Sequence, residues 1–544
     1  MPAHERGWCI FRNYCEFAID GRSRYWQLVH LNGRARTPAS PSPELSTPNA
    51  PASDVEYHLL TRDSDETRLA RAVLPLVAAH PAQSGIVPLR DGRDAFAARY
   101  LLAEAAEQTL DVQYYIWHND LSGRLLFEAL RRAADRGVHV RLLLDDNNTS
   151  GLDTMLAALN AHPNIEVRLF NAFKHRRWRW VDYVTDFARL NRRMHNKSFT
   201  ADGQVTIVGG RNVGDEYFGA GHDVMFVDLD VLAIGPVVAD VVRDFDRYWH
   251  SASVHPAAAV LPPIQNEQVE RVLGDESTLP DDADALSYRD SLAKQPFVRE
   301  LLAGSLVFEW APTIMVSDDP AKGLGRAAEN TLLFTRIKEL FGMPKRELRL
   351  ISPYFVPGTE GTDYLVRLAK SGVTVAVLTN SLEATDVAAV HAGYAKRRAP
   401  LLRAGIALFE LKRGAVRPPR RSHRGVGVGG SMGSGGSSLH AKTFTVDDRR
   451  VFVGSFNFDP RSSRLNTELG FVIDSPALAM EIAKAFTERI PSRAYRVRLS
   501  ESARLQWEEQ RNDESLLYNN EPGTGLWKRL GVSILALLPI EWLL

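Results

Sequence analysis

The chain has 544 residues and no formal net charge, because 66 Lys and Arg side chains balance 66 Asp and Glu side chains. This length exceeds one ordinary core, so we expect two domains with appendages. A neutral balance argues against a nucleic-acid-binding protein, which usually carries a basic domain. The two cysteines, Cys9 and Cys15, lie near the N-terminus, which excludes a disulfide framework or a Cys-ligated zinc site in the rest of the chain.

Residues 1–65 are predicted to be a disordered leader. Residues 35–52 are rich in Pro, Ser and Thr, a composition that buries too little apolar surface to fold. The apolar run at residues 8–11 is short and has charged neighbours, so we expect neither a signal peptide nor, elsewhere in the chain, a transmembrane helix.

The next part of the chain alternates helical and strand patterns. The predicted helices cover residues 95–106, 122–136 and 155–161, and the predicted strands cover residues 110–117, 138–144 and 165–170. Such alternation predicts a mostly parallel sheet covered by helices. A hairpin at residues 195–200 and 205–208 then follows.

The second half repeats this order. Its predicted strands cover residues 348–354, 373–378 and 406–411, and its predicted helices cover residues 361–370 and 388–403. A loop with a Gly/Ser-rich core, residues 418–438, precedes a second hairpin. We therefore predict an α/β protein with two homologous lobes, each a mostly parallel or mixed sheet flanked by helices, related by a pseudo-twofold axis with the active site between them.

The predicted domain boundaries follow from this repeat. The acidic stretch 266–290 indicates a connector between the lobes. We assign residues 66–260 to the first lobe, 261–300 to the connector, 301–500 to the second lobe and 501–544 to a C-terminal tail.

One motif occurs twice, in the form His-x-Lys-x4-Asp, and an Asn follows each His by 17 positions. The two sets are His195, Lys197, Asp202 and Asn212, and His440, Lys442, Asp447 and Asn457. Corresponding residues are always 245 positions apart, so the site is duplicated. In a strand, residues two apart share a face, so each His and its Lys point into one pocket. A cation beside an imidazole is a poor metal site, whereas the pair suits a phosphate, with His as nucleophile or proton carrier.

At these residues the chain resembles the phospholipase D superfamily. Residues 209–219 and 454–470 look like those of bacterial cardiolipin synthases. Residues 111–148, 190–221 and 539–544 look most like the C-type branch of that family. The first motif departs from the superfamily pattern at Gly210, where Ser is usual and where the second lobe has Ser455.

The resemblance implies roles for these residues. His195 is the expected nucleophile and His440 the general acid and base, while the pseudo-symmetry leaves the reverse open. Lys197, Lys442, Asn212 and Asn457 would hold the phosphoryl oxygens, without a metal or other cofactor.

Further site residues follow from aligning the two halves. Asp228 and Glu468 are nominated as the carboxylates that orient the histidines. The motif acids Asp202 and Asp447 belong to the predicted site, although their position at a turn favours a structural role. Ser455 is expected to donate a hydrogen bond to phosphate, and Glu216 to shape the acceptor side.

The resemblance also implies a function: transfer of a phosphatidyl group from phosphatidylethanolamine or phosphatidylglycerol to phosphatidylglycerol, through a phosphohistidine, to give cardiolipin. Two alternatives stay open. One is a phospholipase D-type phosphodiesterase that hydrolyses phospholipid or nucleic acid, and the other is a non-catalytic membrane-binding protein. We expect phospholipid substrates and no nucleic acid; the oligomeric state stays open.

Two segments predict peripheral contact with an anionic membrane at the cytoplasmic face of the inner membrane. Residues 174–180 interleave cations with tryptophans, which suits a headgroup interface, although a solvated loop with two core tryptophans fits as well. Residues 530–540 form an apolar run too short to span a bilayer, so they would lie on the membrane or dock on the protein.

Overall fold

The computed structural model describes residues 66–220, 225–273, 283–303, 305–415, 437–511, 514–538 and 541. The predicted leader and most of the predicted loop 418–438 lie outside these residues. The same holds for most of residues 539–544.

The first lobe is built on a nine-stranded sheet in the order β10-β1-β8-β6-β5-β2-β3-β4-β9. Its strands, with the short β7, are β1 (Ser84–Leu89), β2 (Thr109–Ile116), β3 (His139–Asn148), β4 (Ile165–Phe170), β5 (Ser198–Ala201), β6 (Val205–Gly209), β7 (Met225–Val227), β8 (Asp230–Ile234), β9 (Val254–Pro256) and β10 (Glu309–Ala311).

The second lobe is built on a ten-stranded sheet in the order β11-β18-β17-β16-β12-β13-β14-β19-β20-β21. Its strands, with the short β15, are β11 (Thr313–Ser317), β12 (Glu347–Ile351), β13 (Thr374–Asn380), β14 (Ala407–Leu411), β15 (Ser437–Leu439), β16 (Thr443–Val446), β17 (Arg450–Gly454), β18 (Leu469–Asp474), β19 (Ala494–Leu499), β20 (Leu505–Arg511) and β21 (Glu514–Tyr518).

Helices flank both sheets. Those of the first lobe are α1 (Arg68–Ala78), α2 (Gly92–Ala105), α3 (Leu121–Asp135), α4 (Asp153–Asn160), α5 (Arg179–Thr185), α6 (Phe187–Leu190), α7 (Asp215–Phe218), α8 (Pro236–Trp249), α9 (Ala257–Val260), α10 (Asn266–Leu273), α11 (Ala283–Ala293) and α12 (Pro296–Ala303). Those of the second lobe are α13 (Leu333–Phe341), α14 (Gly358–Lys370), α15 (Ala388–Ala395), α16 (Arg398–Arg403), α17 (Pro460–Arg464), α18 (Pro476–Lys484), α19 (Ile490–Arg493) and α20 (Leu526–Leu537).

The two sheets repeat one topology over eight strands. The central strands β2-β3-β4 and β12-β13-β14 pair in parallel, and the neighbouring strands add antiparallel on both sides. Parallel pairing needs covered faces, and most side chains of β2 and β3 are buried. The predicted fold class, two duplicated α/β lobes, is confirmed.

The lobes share an apolar interface. Val208 and Val231 of the first sheet pack in one cluster with Val453, Leu469 and Phe471 of the second. The short strands β7 and β15, one from each lobe, also pair in parallel. Side chains beside these elements are therefore held between the lobes.

Helices α10 to α12 cover the described part of the predicted connector. Tyr288 on α11 packs against Phe96, with ring centroids 5.3 Å apart, and its hydroxyl donates to the Phe218 carbonyl. These helices therefore pack on the first lobe. The chain passes between the sheets at Pro312, which separates β10 from β11. Within the predicted tail, β20 and β21 extend the second sheet.

Candidate active site

The two motif histidines lie between the lobes, and each pairs with a carboxylate of the opposite lobe. His195 Nδ1 lies 2.8 Å from Glu468 Oε2, and His440 Nδ1 lies 2.5 Å from Asp228 Oδ2. Both histidines are only 7% exposed, and both carboxylates are buried. The arrangement leaves Nε2 of each ring as the nitrogen that can serve a substrate.

Backbone hydrogen bonds between the lobes place these pairs. The His195 amide donates to the Thr467 carbonyl at 2.8 Å, and the His440 amide donates to the Val227 carbonyl at 2.8 Å. Thr467 directly precedes Glu468, and Val227 directly precedes Asp228. The backbone amide of each histidine is therefore hydrogen-bonded to the residue directly before its carboxylate partner.

The motif lysines lie beside the histidines and are buried. Lys197 Nζ donates to the His195 carbonyl at 2.6 Å, and Lys442 Nζ donates to the His440 carbonyl at 2.5 Å. Burial lowers the pKa of both lysines, and that of Lys197 falls well below its ordinary value. An anionic phosphodiester entering this site would stabilise the charged form of both.

The two histidines differ in how readily they take a proton. Burial, together with Lys197, Lys442 and His440, lowers the pKa of His195 well below its ordinary value. Burial and Lys442 also lower the pKa of His440, but its hydrogen bond to Asp228 opposes that shift. His195 is therefore a neutral imidazole, and His440 is the better proton carrier.

The two carboxylate partners also differ in pKa. Burial raises the pKa of Glu468 to about 7, even though Lys197 and Ser455 act to lower it. Burial acts on Asp228 too, but His440 and Lys442 outweigh it and hold the pKa of Asp228 well below its ordinary value. Asp228 is thus ionised and stabilises a proton on His440 when that residue carries one.

The two glycine-rich turns differ because the carboxylates differ in length. A Cβ on Gly210 would lie 2.3 Å from Asp228 Oδ1, so no side chain fits there. At the equivalent position, Ser455 Oγ donates to Glu468 Oε2 and accepts from the Leu469 amide. Ser455, which we expected to bind phosphate, is thus bonded to Glu468. The departure from the superfamily pattern at Gly210 makes room for Asp228.

The two motif asparagines are buried. Asn212 Oδ1 accepts from the Ile116 amide at 3.2 Å, and its Nδ2 donates to the Tyr217 hydroxyl at 3.0 Å. Asn457 Oδ1 has no hydrogen-bond partner among the described residues. This oxygen can therefore accept a hydrogen bond only from a donor group of a ligand.

The motif aspartates lie at the turns and bind backbone. Asp202 accepts hydrogen bonds from the amides of Glu107, Gln108 and Thr109, at 2.8–3.2 Å. Asp447 accepts from the equivalent amides, those of residues 345–347, at 2.7–3.1 Å. Each carboxylate fixes the segment that leads into a central strand, which accounts for its place in the motif.

Aromatic rings border the histidines, and sequence reasoning missed them. The Tyr115 ring centre lies 5.0 Å from that of His195, and the Tyr217 and Phe226 ring centres each lie 5.1 Å from that of His440. Tyr217 directly follows the predicted site residue Glu216, so its position in the sequence indicated that it lies near the site. Tyr115 could not be distinguished from the other aromatic residues of its predicted strand.

Two exposed apolar patches occur in the described part of the chain. We call Trp178, Trp180, Val184 and Phe187 the first patch, and Trp527, Leu530, Ile534 and Leu537 the second. Trp178 and Trp180 are 61% and 68% exposed, so they are not core residues. Helix α20, which carries the second patch, docks on the body through Val532 and leaves Trp527 82% exposed. No described helix is long and apolar enough to cross a bilayer.

Each patch is connected to the neighbourhood of one histidine. Tyr183, beside the first patch, donates to Asn147, and Asn148 donates to the carbonyl of Tyr115, which packs on His195.

On the other lobe, Lys528 of α20 donates to the Leu382 carbonyl at 2.6 Å, just after β13. Asn380, the last residue of β13, donates to the carbonyl of Leu439, which directly precedes His440. Each lobe therefore carries one patch that is linked by hydrogen bonds to the surroundings of a motif histidine.

Duplicated lobes and crossed His–carboxylate pairs define a two-lobed phospholipase D-type enzyme. A family model described as cardiolipin synthase, PLD-like domain, matches residues 101–249 and 337–490. The chain belongs to this family.

Similar proteins agree with this membership. Cardiolipin synthase C of Escherichia coli (strain K12) is 52% identical over 481 residues, which cover 88% of this chain and all of that protein. Cardiolipin synthase A of Pseudomonas entomophila (strain L48) is 29% identical over 79% of this chain and 73% of that protein.

A solved structure shares the fold. The crystal structure of phosphatidylserine synthase from Haemophilus influenzae Rd KW20 matches with a TM-score of 0.54 at 13% identity. The match covers 89% of this chain and 100% of that one.

Proposed function

We propose that this protein is a phosphatidyltransferase that makes cardiolipin. It moves a phosphatidyl group from phosphatidylethanolamine or phosphatidylglycerol to a hydroxyl of phosphatidylglycerol. Similarity to proteins named cardiolipin synthase supports the lipid chemistry. The observation that carries the proposal is the pair of buried histidines, each bonded to a carboxylate of the opposite lobe.

In the first step, the neutral His195 attacks. A bond forms between His195 Nε2 and phosphorus while the bond from phosphorus to the headgroup oxygen breaks. In its protonated form, which the ionised Asp228 stabilises, His440 gives its proton to the departing oxygen. Glu468 stabilises the positive charge that develops on the His195 ring.

In the second step, an alcohol replaces the histidine. The hydroxyl of the acceptor lipid attacks phosphorus, its proton passes to His440, and the bond between Nε2 and phosphorus breaks. Lys197 and Lys442 neutralise the phosphoryl oxygens. His440 regains its proton, and the cycle closes.

We further propose that the protein works on a membrane surface that both apolar patches touch. Tryptophan and cationic side chains at a patch favour the interface of an anionic bilayer. Arg177 lies beside Trp178 in the first patch, and Lys528 lies beside Trp527 in the second. Placement at the cytoplasmic face of the inner membrane stays a prediction.

The first experiment identifies the product. Purified protein is given radiolabelled phosphatidylglycerol in vesicles, with and without phosphatidylethanolamine. A four-chain lipid supports transfer, whereas phosphatidic acid as the main product supports the hydrolase. We expect His195→Ala and His440→Ala to abolish the four-chain product. His255→Ala, which changes an exposed histidine on β9, should match the wild type.

The second experiment assigns the nucleophile. Phosphatidyl-p-nitrophenol has a leaving group that departs without an acid. We expect His440→Ala to release one equivalent of nitrophenol and to retain phosphorus on the protein, in an acid-labile and base-stable form. His195→Ala should do neither. The opposite pattern would make His440 the nucleophile.

A further inference from the structure

The two lobes differ beside the motif asparagines, although their backbones match there. The His118 amide donates to the Val213 carbonyl at 2.9 Å, and the Val356 amide donates to the Phe458 carbonyl at 2.9 Å. Val213 directly follows Asn212, and Phe458 directly follows Asn457. His118 and Val356 are therefore equivalent positions in the two lobes.

The charge at a second equivalent position is reversed. Glu216 lies four residues after Asn212, and Arg461 lies four residues after Asn457. His118 Nδ1 is 3.2 Å from Glu216 Oε1, whereas Arg461 is bound by Asn191, whose Oδ1 accepts at 2.8 Å. The first lobe thus carries a His–Glu pair at positions where the second lobe has Val and Arg.

This pair lies beside His440. Tyr217, the next residue after Glu216, packs on the His440 ring. Although burial acts to raise the pKa of Glu216, the hydrogen bond with His118 and the nearby His440 lower it overall. Glu216 is therefore an ionised carboxylate within electrostatic reach of His440, and its side chain is 25% exposed.

The backbone leaves space for the pair. A Cβ on Gly214 would lie 2.8 Å from Glu216 Oε2 and 3.0 Å from His118 Nδ1. Gly214 has an extended backbone that any residue can adopt, so a side chain there would meet no backbone strain but would have to displace the Glu216 carboxylate from His118. The absence of a side chain at Gly214 therefore leaves room for the His118–Glu216 pair next to His440.

In the proposed mechanism, the headgroup alcohols occupy the side of the site next to His440. With His195 as the in-line nucleophile, the leaving alcohol and then the entering alcohol both stand beside His440. An ionised carboxylate only accepts hydrogen bonds. It therefore favours an alcohol that carries further donors, such as the ammonium of ethanolamine or the second hydroxyl of glycerol.

We propose that Glu216, held by His118, is the specificity-determining residue that binds the hydrogen-bond donors of the headgroup alcohol beside His440. The inference rests on the proposed function. It assigns the headgroup side of the site to the first lobe's own surface and predicts that the phosphatidyl side does not depend on Glu216.

The test compares two donors that differ only in the leaving alcohol. Short-chain phosphatidylethanolamine has an ammonium, whereas short-chain phosphatidyl-p-nitrophenol has no donor for Glu216. We expect Glu216→Gln to lower kcat/KM for phosphatidylethanolamine about tenfold or more, a loss typical of a charge-assisted hydrogen bond. Nitrophenol release should stay within about twofold of the wild type.

The acceptor is tested separately. With phosphatidyl-p-nitrophenol as donor and glycerol as a soluble acceptor, we expect Glu216→Gln to raise KM for glycerol while kcat changes little. His118→Val, which installs the residue of the second lobe, should shift KM in the same direction by less. Glu360→Gln serves as control, because Glu360 is 92% exposed and pairs only weakly with Arg464.

Each other outcome overturns the inference. Equal losses with both donors would mean that Glu216 acts on the attack by His195 or on folding, which a melting curve would separate. An equal loss with short-chain phosphatidylethanol, whose alcohol needs an acid but carries no further hydrogen-bond donor, would mean that Glu216 acts through His440 and does not bind the headgroup. Asp386 of the second lobe accepts from the Tyr354 hydroxyl at 2.6 Å and acts electrostatically on Lys442. A loss in Asp386→Asn but not in Glu216→Gln would assign the headgroup to that lobe. Loss of activity in EDTA, restored by Mg²⁺, would make His118, Asp120 and Glu216, whose ligand atoms lie within 4.8 Å of one another, a cation site. A wild type that handles neither donor refutes the proposed function itself, whereas an active wild type matched by Glu216→Gln refutes this inference alone.

Discussion

His195 Nδ1 lies 2.8 Å from Glu468 Oε2, although the two residues are 273 positions apart and belong to different lobes. His440 and Asp228 repeat this relationship in the opposite direction. Neither lobe alone therefore contains a motif histidine together with its carboxylate partner. The site exists only while the lobes are docked, and the apolar cluster between β6, β8, β17 and β18 is what docks them.

The two carboxylates should affect stability in opposite ways as pH changes. Burial raises the pKa of Glu468 from an ordinary 4.5 to about 7, so the folded state holds a proton that the unfolded state loses. This contribution to stability is complete below pH 4.5 and is lost as pH rises to about 7. We expect Glu468→Gln to melt higher than the wild type at pH 8, by a free energy on the order of 3 kcal/mol, and to gain little at pH 5.

Asp228→Asn is the matched comparison. The pKa of Asp228 is depressed in the folded state, so its contribution is present above the ordinary pKa of 3.8 and is lost as pH falls. This variant should melt lower than the wild type by a constant amount between pH 8 and pH 4, because the Asp228 contribution is lost only below pH 3.8. Melting curves of both variants from pH 4 to 8 test this, since only the difference for Glu468→Gln should change over that range. Parallel shifts in the two variants would contradict the assigned protonation states.

The sequence was sufficient to predict the duplicated lobes, because the alternation of helices and strands and the constant spacing of 245 are local or periodic signals. The two nominated carboxylates also came from aligning the halves. The alignment did not predict that each carboxylate pairs with the histidine of the opposite lobe. It matches Asp228 with Glu468 but does not indicate which histidine each carboxylate contacts. That depends on how two folded lobes dock.

Other features of the site depend on the same three-dimensional information. In the sequence, Gly210 is only a departure from the superfamily motif, whereas in the structure its Cβ position lies 2.3 Å from Asp228 Oδ1. The His118–Glu216 pair joins residues 98 positions apart through the hydrogen bond between His118 and Val213. Neither has a periodic signal in the sequence.

The two glycine-rich turns should respond differently to alanine. Gly210→Ala adds a Cβ that would lie 2.3 Å from Asp228 Oδ1 and must displace that carboxylate from His440. Loss of a positioned proton carrier costs on the order of a hundredfold in rate. We expect Gly210→Ala to lose transfer activity on this scale at every pH, as measured by cardiolipin formation.

Ser455→Ala should instead give a pH-dependent defect. It removes a donor that stabilises ionised Glu468, so the pKa of Glu468 rises further above 7. We expect about a tenfold loss at pH 7 that is recovered near pH 9, seen as a shifted acid limb of kcat against pH. A loss in Ser455→Ala that does not depend on pH would point to direct phosphate binding by the hydroxyl.

The motif aspartates should matter for folding and not for chemistry. Asp202→Ala leaves three backbone amides without their acceptor, and hydrogen bonds to a charged group contribute about 2 kcal/mol each. We expect a lower melting temperature and a smaller yield, with kcat per folded molecule within about twofold of the wild type. Asp447→Ala should follow the same pattern with a smaller drop, because that turn is more exposed. A normally folded but inactive Asp202→Ala would return this residue to the reaction.

The second apolar patch should control binding to vesicles. Each exposed Trp or Leu that enters a bilayer interface contributes about 1.5–3 kcal/mol, so Trp527→Ser with Leu530→Ser should weaken binding tenfold or more. Sedimentation with anionic vesicles measures the loss, and added salt should weaken wild-type binding further through Lys528. The matched control is Leu516→Ser with Leu517→Ser, since these leucines are exposed on edge strand β21 outside both patches. Equal binding by the two double variants would show that α20 only docks on the second lobe.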